Sequence, residues 1–373
     1  MEGHSAHGHT GQRKDRKAIG ADKLGTGYSH HLKPLHPIDL HKVHSVNDMV
    51  LQMKGASFGA RSLGEAADVL EAMVKDKDCY KVLTLSGAMT IAKMGLIVCD
   101  MIDDGMVDAI VSTGALMAHG FVESVGKLHF KYEWNMNDTD LYYAGYDRVY
   151  DTIELERNLD DIAVIMAKVL NEHPKDVPLT SWTLHNKVGK HLHENTEGRG
   201  ILKSAYEKNV PVYVPAFTDS ELGLDVALYN IEQRLQGKEP IRFDPFEDLD
   251  HYTDNVKKAK KLGIFTIGGG VPRNWAQQVG PYLDLIRYRV KEHSNAHKYW
   301  NQDDDWYKRF NYAVRVCPEP VHWGGLSGCT YTEGVSWGKF VPREEGGMWA
   351  EVLEDATIAW PLIVKAVQER MKK

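Results

Sequence analysis

From residue 80 onward the chain alternates short apolar runs with helical segments, and this alternation limits its fold more than any other feature. The runs are rich in strand-favouring residues and lie at 80–88, 106–115, 210–220, 262–270 and 311–319. Strands that alternate with helices favour a parallel sheet with helices on both faces. The sequence therefore predicts an α/β fold in which ligands bind where the strands end.

Helical periodicity marks segments between these runs and one segment before them. Helices are predicted at 62–76, 90–104, 160–173 and 272–288. Ser62 and Glu65 have the spacing of a capping box, which predicts that the first of these helices begins at residue 62.

The N-terminal residues differ in character from the rest of the chain. Residues 1–28 lack apolar periodicity and are rich in histidine and glycine, so we predict that 1–45 form a partly mobile, His-rich extension. Residues 46–373 are predicted to form a single catalytic domain. The polar and aromatic stretch 291–310 interrupts the alternation and is predicted to be a surface insertion.

Charge and cysteine usage exclude several classes of protein. The 373 residues include 45 Lys and Arg against 52 Asp and Glu, whereas nucleic-acid-binding proteins usually carry a basic face or excess. The four cysteines form no CxxC pair, which argues against a disulfide framework and fits a reducing compartment. No signal peptide or apolar run long enough to span a bilayer is apparent. We therefore expect a cytoplasmic protein with neither nucleic-acid nor membrane partners.

Histidines are frequent in the chain, but they do not follow metal-binding motifs. One stretch carries His30, His31, His36, His41 and His44. No HExxH or Cys/His knuckle spacing is present, so no metal site is predicted. His119, just after the second strand, is either a base or ligand contact or a buried, hydrogen-bonded histidine, and both interpretations stay open.

One lysine has an unusual setting, in the stretch TEGVSWGKF at 332–340. Lys339 follows Trp337 and Gly338 and precedes Phe340. A desolvated setting lowers the pKa of a lysine and allows it to form a Schiff base, and the indole can supply a cation–π face. The alternative is a lysine whose stem packs along an aromatic ring while its ammonium stays in water.

Two strand ends carry residues suited to a nucleotide. The glycines at 268–270 precede Pro272, which suits the first turn of a helix, and the backbone N–H groups at such a helix start bind phosphate. The alternative there is a plain tight turn. Asp219 is suited either to holding ribose hydroxyls or to capping the next helix. The GxGxxG fingerprint of ordinary dehydrogenases is absent.

Read together, several segments resemble the deoxyhypusine synthase family. They occur in family order: STGA at 112–115, PAFTDSELG at 215–223, GGGVPRN at 268–274, GGLSG at 324–328, EGVSWGK at 333–339 and EDATIAWPLIV at 354–364. The similarity covers about residues 60–370. The segments GGLSG and GGGVPRNW look most like the prokaryotic deoxyhypusine synthase-like branch.

The resemblance implies a Rossmann-like NAD-binding domain, assembled as a homotetramer with active sites at dimer interfaces. It also implies an NAD-dependent transferase of alkyl groups other than methyl. In this family NAD takes a hydride from a polyamine, a lysine captures the aminobutyl group as an imine, and the group passes to an acceptor amine and is reduced. The acceptor is a translation-factor lysine in deoxyhypusine synthases and putrescine in homospermidine synthases.

Carried over residue by residue, the resemblance assigns a role to each position that matches a family motif. Lys339 would be the nucleophile that forms the imine. The substrate-binding residues would be Trp337, Glu333, Asn274 and His119, with Glu333 pairing an ammonium. The NAD-binding residues would be Ser86, Gly87, Thr113, Gly114, Asp219, Gly269, Gly270, Asp355 and Ala356.

The chain departs from the family pattern at several positions in the substrate pocket. Asn274 stands where the family has a histidine, and Leu326 and Leu224 stand where it has aspartates. His119 replaces a glutamate, and Pro318-Glu319 replaces a Thr-Ala pair. An ammonium group needs anionic partners when it is buried, so we expect the same chemistry on an altered amine. The alternatives are a true deoxyhypusine or homospermidine synthase, and a non-catalytic NAD-binding protein.

Overall fold

The computed structural model describes residues 25–290 and 306–372. The strands within these ranges are β1 (Cys79–Leu85), β2 (Ala109–Ser112), β3 (Phe130–Lys131), β4 (Tyr146–Val149), β5 (Thr152–Leu155), β6 (Val212–Tyr213), β7 (Lys261–Ile267), β8 (Phe310–Val316) and β9 (Met348–Val352). Six of them form one sheet in the order β6-β2-β1-β7-β8-β9, and every neighbouring pair in it is parallel. The predicted α/β fold with a parallel sheet is confirmed.

The strand order places a reversal point in the middle of the sheet. The chain builds outward from β1 through β2 to β6, then returns to pair β7 with the other side of β1 and continues through β8 to β9. This is the order of doubly wound dinucleotide-binding sheets, in which ligands bind in the crevice at the reversal point. Here that crevice lies between the carboxyl ends of β1 and β7.

Helices cover both faces of this sheet. They are α1 (Val46–Gly55), α2 (Phe58–Lys75), α3 (Gly95–Asp103), α4 (Gly114–Ser124), α5 (Asp138–Ala144), α6 (Glu156–Asn171), α7 (Ser181–Asn195), α8 (Ile201–Glu207), α9 (Glu221–Leu235), α10 (Pro245–Lys258), α11 (Gly270–Gln277), α12 (Val279–Arg289), α13 (Tyr331–Ser336) and α14 (Ala356–Met371). Successive strand residues point to opposite faces. Leu83 and Leu85 of β1 accordingly lie in the core formed with α1–α4, α6–α9 and α14, whereas Val82 lies in the core formed with α10–α13.

A second, three-stranded antiparallel sheet follows α4, with the order β3-β5-β4. This sheet is not predicted from the sequence, because its strands are short and contain no continuous apolar run. Every residue of β3 and β4 is exposed, whereas Ile153 and Glu154 of β5 are buried. A sheet of this size has little core of its own, so its attachment to the larger body depends on a few contacts.

Several predicted boundaries differ from the structure. The first predicted helix, α2, begins at Phe58 after the N-cap Ser57, so Ser62 is an interior helical residue and caps nothing. The predicted helix 90–104 begins only at Gly95. The predicted helix 272–288 is two helices, α11 and α12, which meet at Gln278.

The predicted surface insertion is only partly within the described residues. Its first part, 291–305, lies outside them. Its last part is mostly buried, since Trp306, Lys308 and Phe310 are 4%, 6% and 1% exposed, whereas Tyr307 is exposed. A surface position is therefore wrong for Trp306, Lys308 and Phe310, because Trp306 packs into the core and Phe310 begins β8.

The predicted extension and domain division also reach outside the described residues. Residues 1–24 are not among them, and the division into 1–45 and 46–373 stays a prediction. None of the helices in the described ranges combines the length and the apolar character needed to cross a membrane.

Candidate functional site

A cavity of about 160 Å³ opens at the reversal point of the sheet. It collects residues from the ends of four neighbouring strands. Five of the predicted NAD-binding residues line it, namely Ser86, Thr113, Gly114, Asp219 and Gly270. Gly87 and Gly269 adjoin these residues in the chain.

Two helices begin at this cavity. Thr113 is the N-cap of α4, and its hydroxyl also donates to the Gly87 carbonyl oxygen at 2.6 Å, which ties the ends of β1 and β2 together. Gly269 precedes α11 and supplies no side-chain cap, although its N–H donates to the Ser86 hydroxyl at 3.0 Å. Helix starts of this kind attract phosphate through their free N–H groups and the helix dipole. The triple glycine is therefore a helix start at the ligand crevice, rather than an isolated turn.

Gly114 lets α4 approach the neighbouring helix closely. A Cβ atom built on Gly114 would lie 2.2 Å from the Cβ atom of Ser220, a distance that no side chain tolerates. Ser220 is the N-cap of α9, where its hydroxyl accepts a hydrogen bond from the Gly223 N–H at 3.2 Å. Asp219 is therefore not the helix cap. Its exposed carboxylate at the cavity is available to a ligand.

Asp355 and Ala356 lie apart from this cavity. They follow β9, the edge strand, which is separated from β1 by β7 and β8. The Asp355 carboxylate caps α14 and accepts from the Thr357 N–H at 2.8 Å. Three strand spacings amount to about 14 Å along the sheet, so their predicted contact with NAD stays a prediction.

The backbone at Lys339 is fixed by the end of α13. Gly338 has φ of +69°, a conformation that suits glycine. Its N–H donates to Val335 O, and the Lys339 N–H donates to Gly334 O, both at 3.0 Å. These two bonds form a Schellman cap. The Lys339 carbonyl oxygen then accepts from the Phe310 N–H at 2.9 Å, which holds the lysine beside the start of β8.

The side chain of Lys339 is half-buried, and its amine has a specific partner. Nζ donates to Oδ1 of Asn274 at 2.9 Å. Burial lowers the pKa of Lys339 and the nearby Arg273 lowers it further, while Cys329 and Glu333 oppose this shift. Because Asn274 is neutral, it holds the amine while favouring the charged form less than a carboxylate would. The half-buried surroundings of Lys339 therefore favour the neutral, nucleophilic form of its amine.

Helix α11 connects the lysine to the cavity. Gly270 begins the helix at the cavity, and Asn274 lies four residues later, about 6 Å along the axis at 1.5 Å per residue. Glu333 is exposed, and the Trp337 ring centroid lies 6.0 Å from the Lys339 amine, with the indole 66% exposed. The structure thus places Lys339 close to Asn274, Glu333 and Trp337, at one side of the predicted NAD cavity.

Two buried arginines, which the sequence analysis missed, hold the loop before α13. Arg315 is fully buried, and its Nη1 donates to the carbonyl oxygens of Ser327 and Cys329 at 2.7 and 2.6 Å. Its Nη2 donates to Glu351 of β9. Arg273 is 2% exposed and reaches Ser327 O at 3.4 Å. The available sequence signal was a lone arginine inside the apolar run of β8.

His119 lies in a different polar cluster, and the structure describes no contact between it and Lys339. Its Nδ1 atom contacts the fully buried Glu154 carboxylate at 3.1 Å, and Nε2 of His129 lies 2.6 Å from the same oxygen. Burial works to raise the pKa of Glu154, but contacts with His119, His129 and Asn158 hold it well below its usual range. The buried, hydrogen-bonded interpretation of His119 therefore describes its surroundings, and its predicted role in substrate binding stays a prediction.

Comparison with known proteins agrees with the motif order. The deoxyhypusine synthase family model matches residues 48–367. A Methanosarcina acetivorans protein named probable deoxyhypusine synthase 2 is 33% identical over 341 residues, which is 90% of each chain. A Chlorobaculum parvum deoxyhypusine synthase-like protein is 33% identical over 89% of this chain and 88% of its own.

A solved structure supports the fold. A crystal structure from Entamoeba histolytica, named for the same synthase, superposes with a TM-score of 0.55 at 15% identity and covers 89% of this chain and 96% of its own. At that identity the likeness concerns the fold alone. Together with the match of the family model over most of the chain, these findings show that the protein belongs to the deoxyhypusine synthase family.

Proposed function

We propose that the protein is an NAD-dependent transferase that moves an aminoalkyl group from a polyamine or related amine, through Lys339, to an acceptor amine. The observation that carries this proposal is the bond between Lys339 Nζ and Asn274 Oδ1 at 2.9 Å. Asn274 belongs to the helix that begins at the predicted NAD cavity. A half-buried amine with a lowered pKa is thereby held beside a site suited to a dinucleotide.

The cavity residues fit NAD on chemical grounds. The starts of α4 and α11 suit the pyrophosphate, and the uncommitted carboxylate of Asp219 suits ribose hydroxyls. Bound NAD would accept a hydride from the carbon next to the donor nitrogen and return it at the end, so the transfer requires no other oxidant or reductant.

Lys339 supplies the nucleophile in this scheme. Its neutral amine adds to the oxidised carbon of the donor, and the original amine of the donor leaves with the proton, so that an imine links the aminoalkyl group to Nζ. Attack by the acceptor amine then releases Lys339. Asn274 orients Nζ without adding charge, and Glu333 lies where it can pair a substrate ammonium.

The amine is proposed to differ from that of a typical family member. The two leucines at family aspartate positions, Leu224 and Leu326, are 58% and 47% exposed and carry no charge. Asp225 is next in the chain, and burial together with the nearby Glu221 and Asp160 raises its pKa to about 6, so its surroundings disfavour the charged form relative to an ordinary aspartate. A donor with fewer or differently spaced ammonium groups suits this pocket better than spermidine.

Exposed apolar side chains near the site support assembly with further copies of the chain. Trp337 and Val271 are 66% and 50% exposed; Trp337 lies beside Lys339, and Val271 lines the cavity. Contiguous exposed apolar surface marks interaction sites. We therefore include in the proposal a homotetramer with active sites at dimer interfaces. A protein as the acceptor, as in true deoxyhypusine synthases, is one alternative within this function.

An amine panel tests the proposed function. The protein is incubated with NAD and single amines of varied length and charge, with NADH absorbance and product masses as readouts. Borohydride added during turnover should attach the aminoalkyl group to Lys339, detected by peptide mass spectrometry. NAD binding with no reduction of NAD by any amine, and with no modified product when a hypusine-factor protein is added as acceptor, would instead support the non-catalytic alternative.

Changing Asn274 to aspartate should shift the pH dependence of activity. Only the neutral amine of Lys339 attacks, so kcat/KM should rise with pH through the pKa of this lysine. A carboxylate at position 274 favours the ammonium form and raises that pKa. The acid limb of the pH–rate profile of Asn274→Asp should therefore move to higher pH. Gln236→Glu, which adds the same charge at the exposed end of α9, should leave the profile unchanged; equal profiles for both variants would contradict the role of Asn274.

Removing the carboxylate of Asp219 should weaken NAD binding. A hydrogen bond to a charged group contributes about 1.5–3 kcal/mol, so Asp219→Ala should raise the Kd for NAD by about tenfold or more in calorimetry. Asp254→Ala removes an exposed acid on α10 that pairs with Lys257 and should leave the Kd unchanged. An unchanged Kd in Asp219→Ala would remove this residue from the proposed NAD site.

A further inference from the structure

A buried cluster of two histidines and a glutamate lies apart from Lys339. His119 comes from α4, His129 from the loop before β3, and Glu154 from β5. One potential ligand atom from each of these residues lies within 4.8 Å of the other two. Their side chains are 8%, 0% and 0% exposed.

Outer contacts orient two of the three side chains. Asn158 Nδ2 and the Leu155 N–H both donate to Oε1 of Glu154 at 2.8 Å, which turns Oε2 toward the histidines. Nδ1 of His129 faces Lys93 Nζ at 2.7 Å and Glu123 Oε1 at 3.5 Å, so its Nε2 atom faces the cluster. A carboxylate that accepts the outer N–H of a histidine supports it as a metal ligand. Glu123 would take this role, because Lys93 Nζ can donate to Glu123 Oε1, 2.6 Å away, and leave the Nδ1 proton in place.

One atom of the cluster has no hydrogen-bond partner. Nε2 of His129 is close to Glu154, but the geometry does not make a hydrogen bond, and this buried nitrogen has no such partner among the described residues. A metal ion between Nε2 and this carboxylate oxygen would use the lone pairs of both atoms.

The surrounding charges also suit a cation. Three carboxylates lie within 4.0 Å of a nitrogen of His119 or His129, namely those of Glu123, Glu154 and Glu221. The positive group described there is the amine of Lys93. With neutral histidines the local balance is two negative charges, which matches one divalent ion.

We propose that His119 Nδ1, His129 Nε2 and Glu154 Oε2 bind a divalent first-row transition metal, with Zn²⁺ as the best match. Two histidines and one carboxylate form a known zinc ligand set that leaves a fourth position open. Ligand atoms around tetrahedral zinc lie roughly 3.4 Å apart, from bond lengths of about 2.0–2.1 Å, so small rotations of the imidazoles complete the site. The metal would fasten the small sheet, through β5 and the loop before β3, to α4.

Zinc stoichiometry tests the proposal on the full chain. The protein is stripped with chelator, dialysed against Zn²⁺, and its metal content is measured by mass spectrometry. Because histidines outside the cluster are also potential zinc ligands, the readout is the difference between variants. We expect His129→Gln and Glu154→Gln to bind one equivalent less than the unmodified protein.

A matched control is available in another histidine–glutamate pair. His193 Nδ1 lies 2.8 Å from Glu207 Oε1 at the surface, and His193→Gln should retain the full stoichiometry. Equal zinc contents in Glu154→Gln and His193→Gln would overturn the proposal. If the cluster variants do not fold, the test is anomalous diffraction at the zinc edge on crystals of the unmodified protein. A peak between the three side chains would support the site, and zinc found only elsewhere would overturn it.

Discussion

Lys339→Ala is expected to abolish transfer while leaving NAD binding intact. The amine is the group proposed to form the covalent intermediate, and no other described lysine donates to Asn274. Loss of a covalent nucleophile should lower kcat by at least about a thousandfold. The measurement is product formation with the best amine of the panel, alongside calorimetry for NAD.

The control for this variant is Lys365→Ala. Lys365 lies on the exposed side of α14 and pairs with Glu369 at 3.7 Å, so its loss should leave both turnover and NAD binding unchanged. Full activity of Lys339→Ala would refute the proposed mechanism. Loss of both activity and NAD binding would show instead that the lysine supports the fold of the site.

Arg315→Ala is expected to produce the largest loss of stability among the substitutions considered. The variant leaves the Cys329 carbonyl without the donor that Arg315 supplies, the Ser327 carbonyl with only the longer bond from Arg273, and the carboxylate of Glu351 without its cation. Removing one partner of a buried ion pair costs about 3–5 kcal/mol. Chemical denaturation should show this decrease in the free energy of unfolding, and activity should also fall because the same loop leads into Lys339.

Arg199→Ala provides the comparison for a surface pair. Arg199 bonds Asp100 and Asp103 at 2.8 and 2.7 Å, but its side chain is 46% exposed. Exposed ion pairs contribute up to about 1 kcal/mol, so this variant should stay close to the unmodified protein. Similar losses in both arginine variants would show that burial does not govern the contribution of Arg315.

The alternation of apolar runs and helices was enough to predict the parallel sheet, because strands buried on both faces carry a continuous apolar signal. The strand β9 was missed because Glu351 interrupts its apolar pattern, and the partner of that charge, Arg315, comes close only in the folded protein. The small sheet was missed because β3 and β4 are exposed and therefore need no apolar pattern.

The candidate site was only partly predictable, because some of its contacts join segments that are far apart in the sequence. Family motifs identified Lys339 and the cavity residues, and strand order explains why Ser86, Thr113 and Gly270 meet. Contacts between distant segments leave no local pattern. The bond from Lys339 to Asn274 spans 65 positions of the chain, and the buried partners of Arg315 become visible only in the folded protein.

The exposure of Leu224 and Leu326 has an evolutionary consequence. Both side chains are exposed, so replacing one residue type by another there leaves the interior packing undisturbed. Substitutions at these two positions can therefore accumulate one at a time, without compensating changes in the core. Substitutions of the buried Arg273 and Arg315 would instead remove hydrogen-bond donors from carbonyl oxygens of the loop before α13.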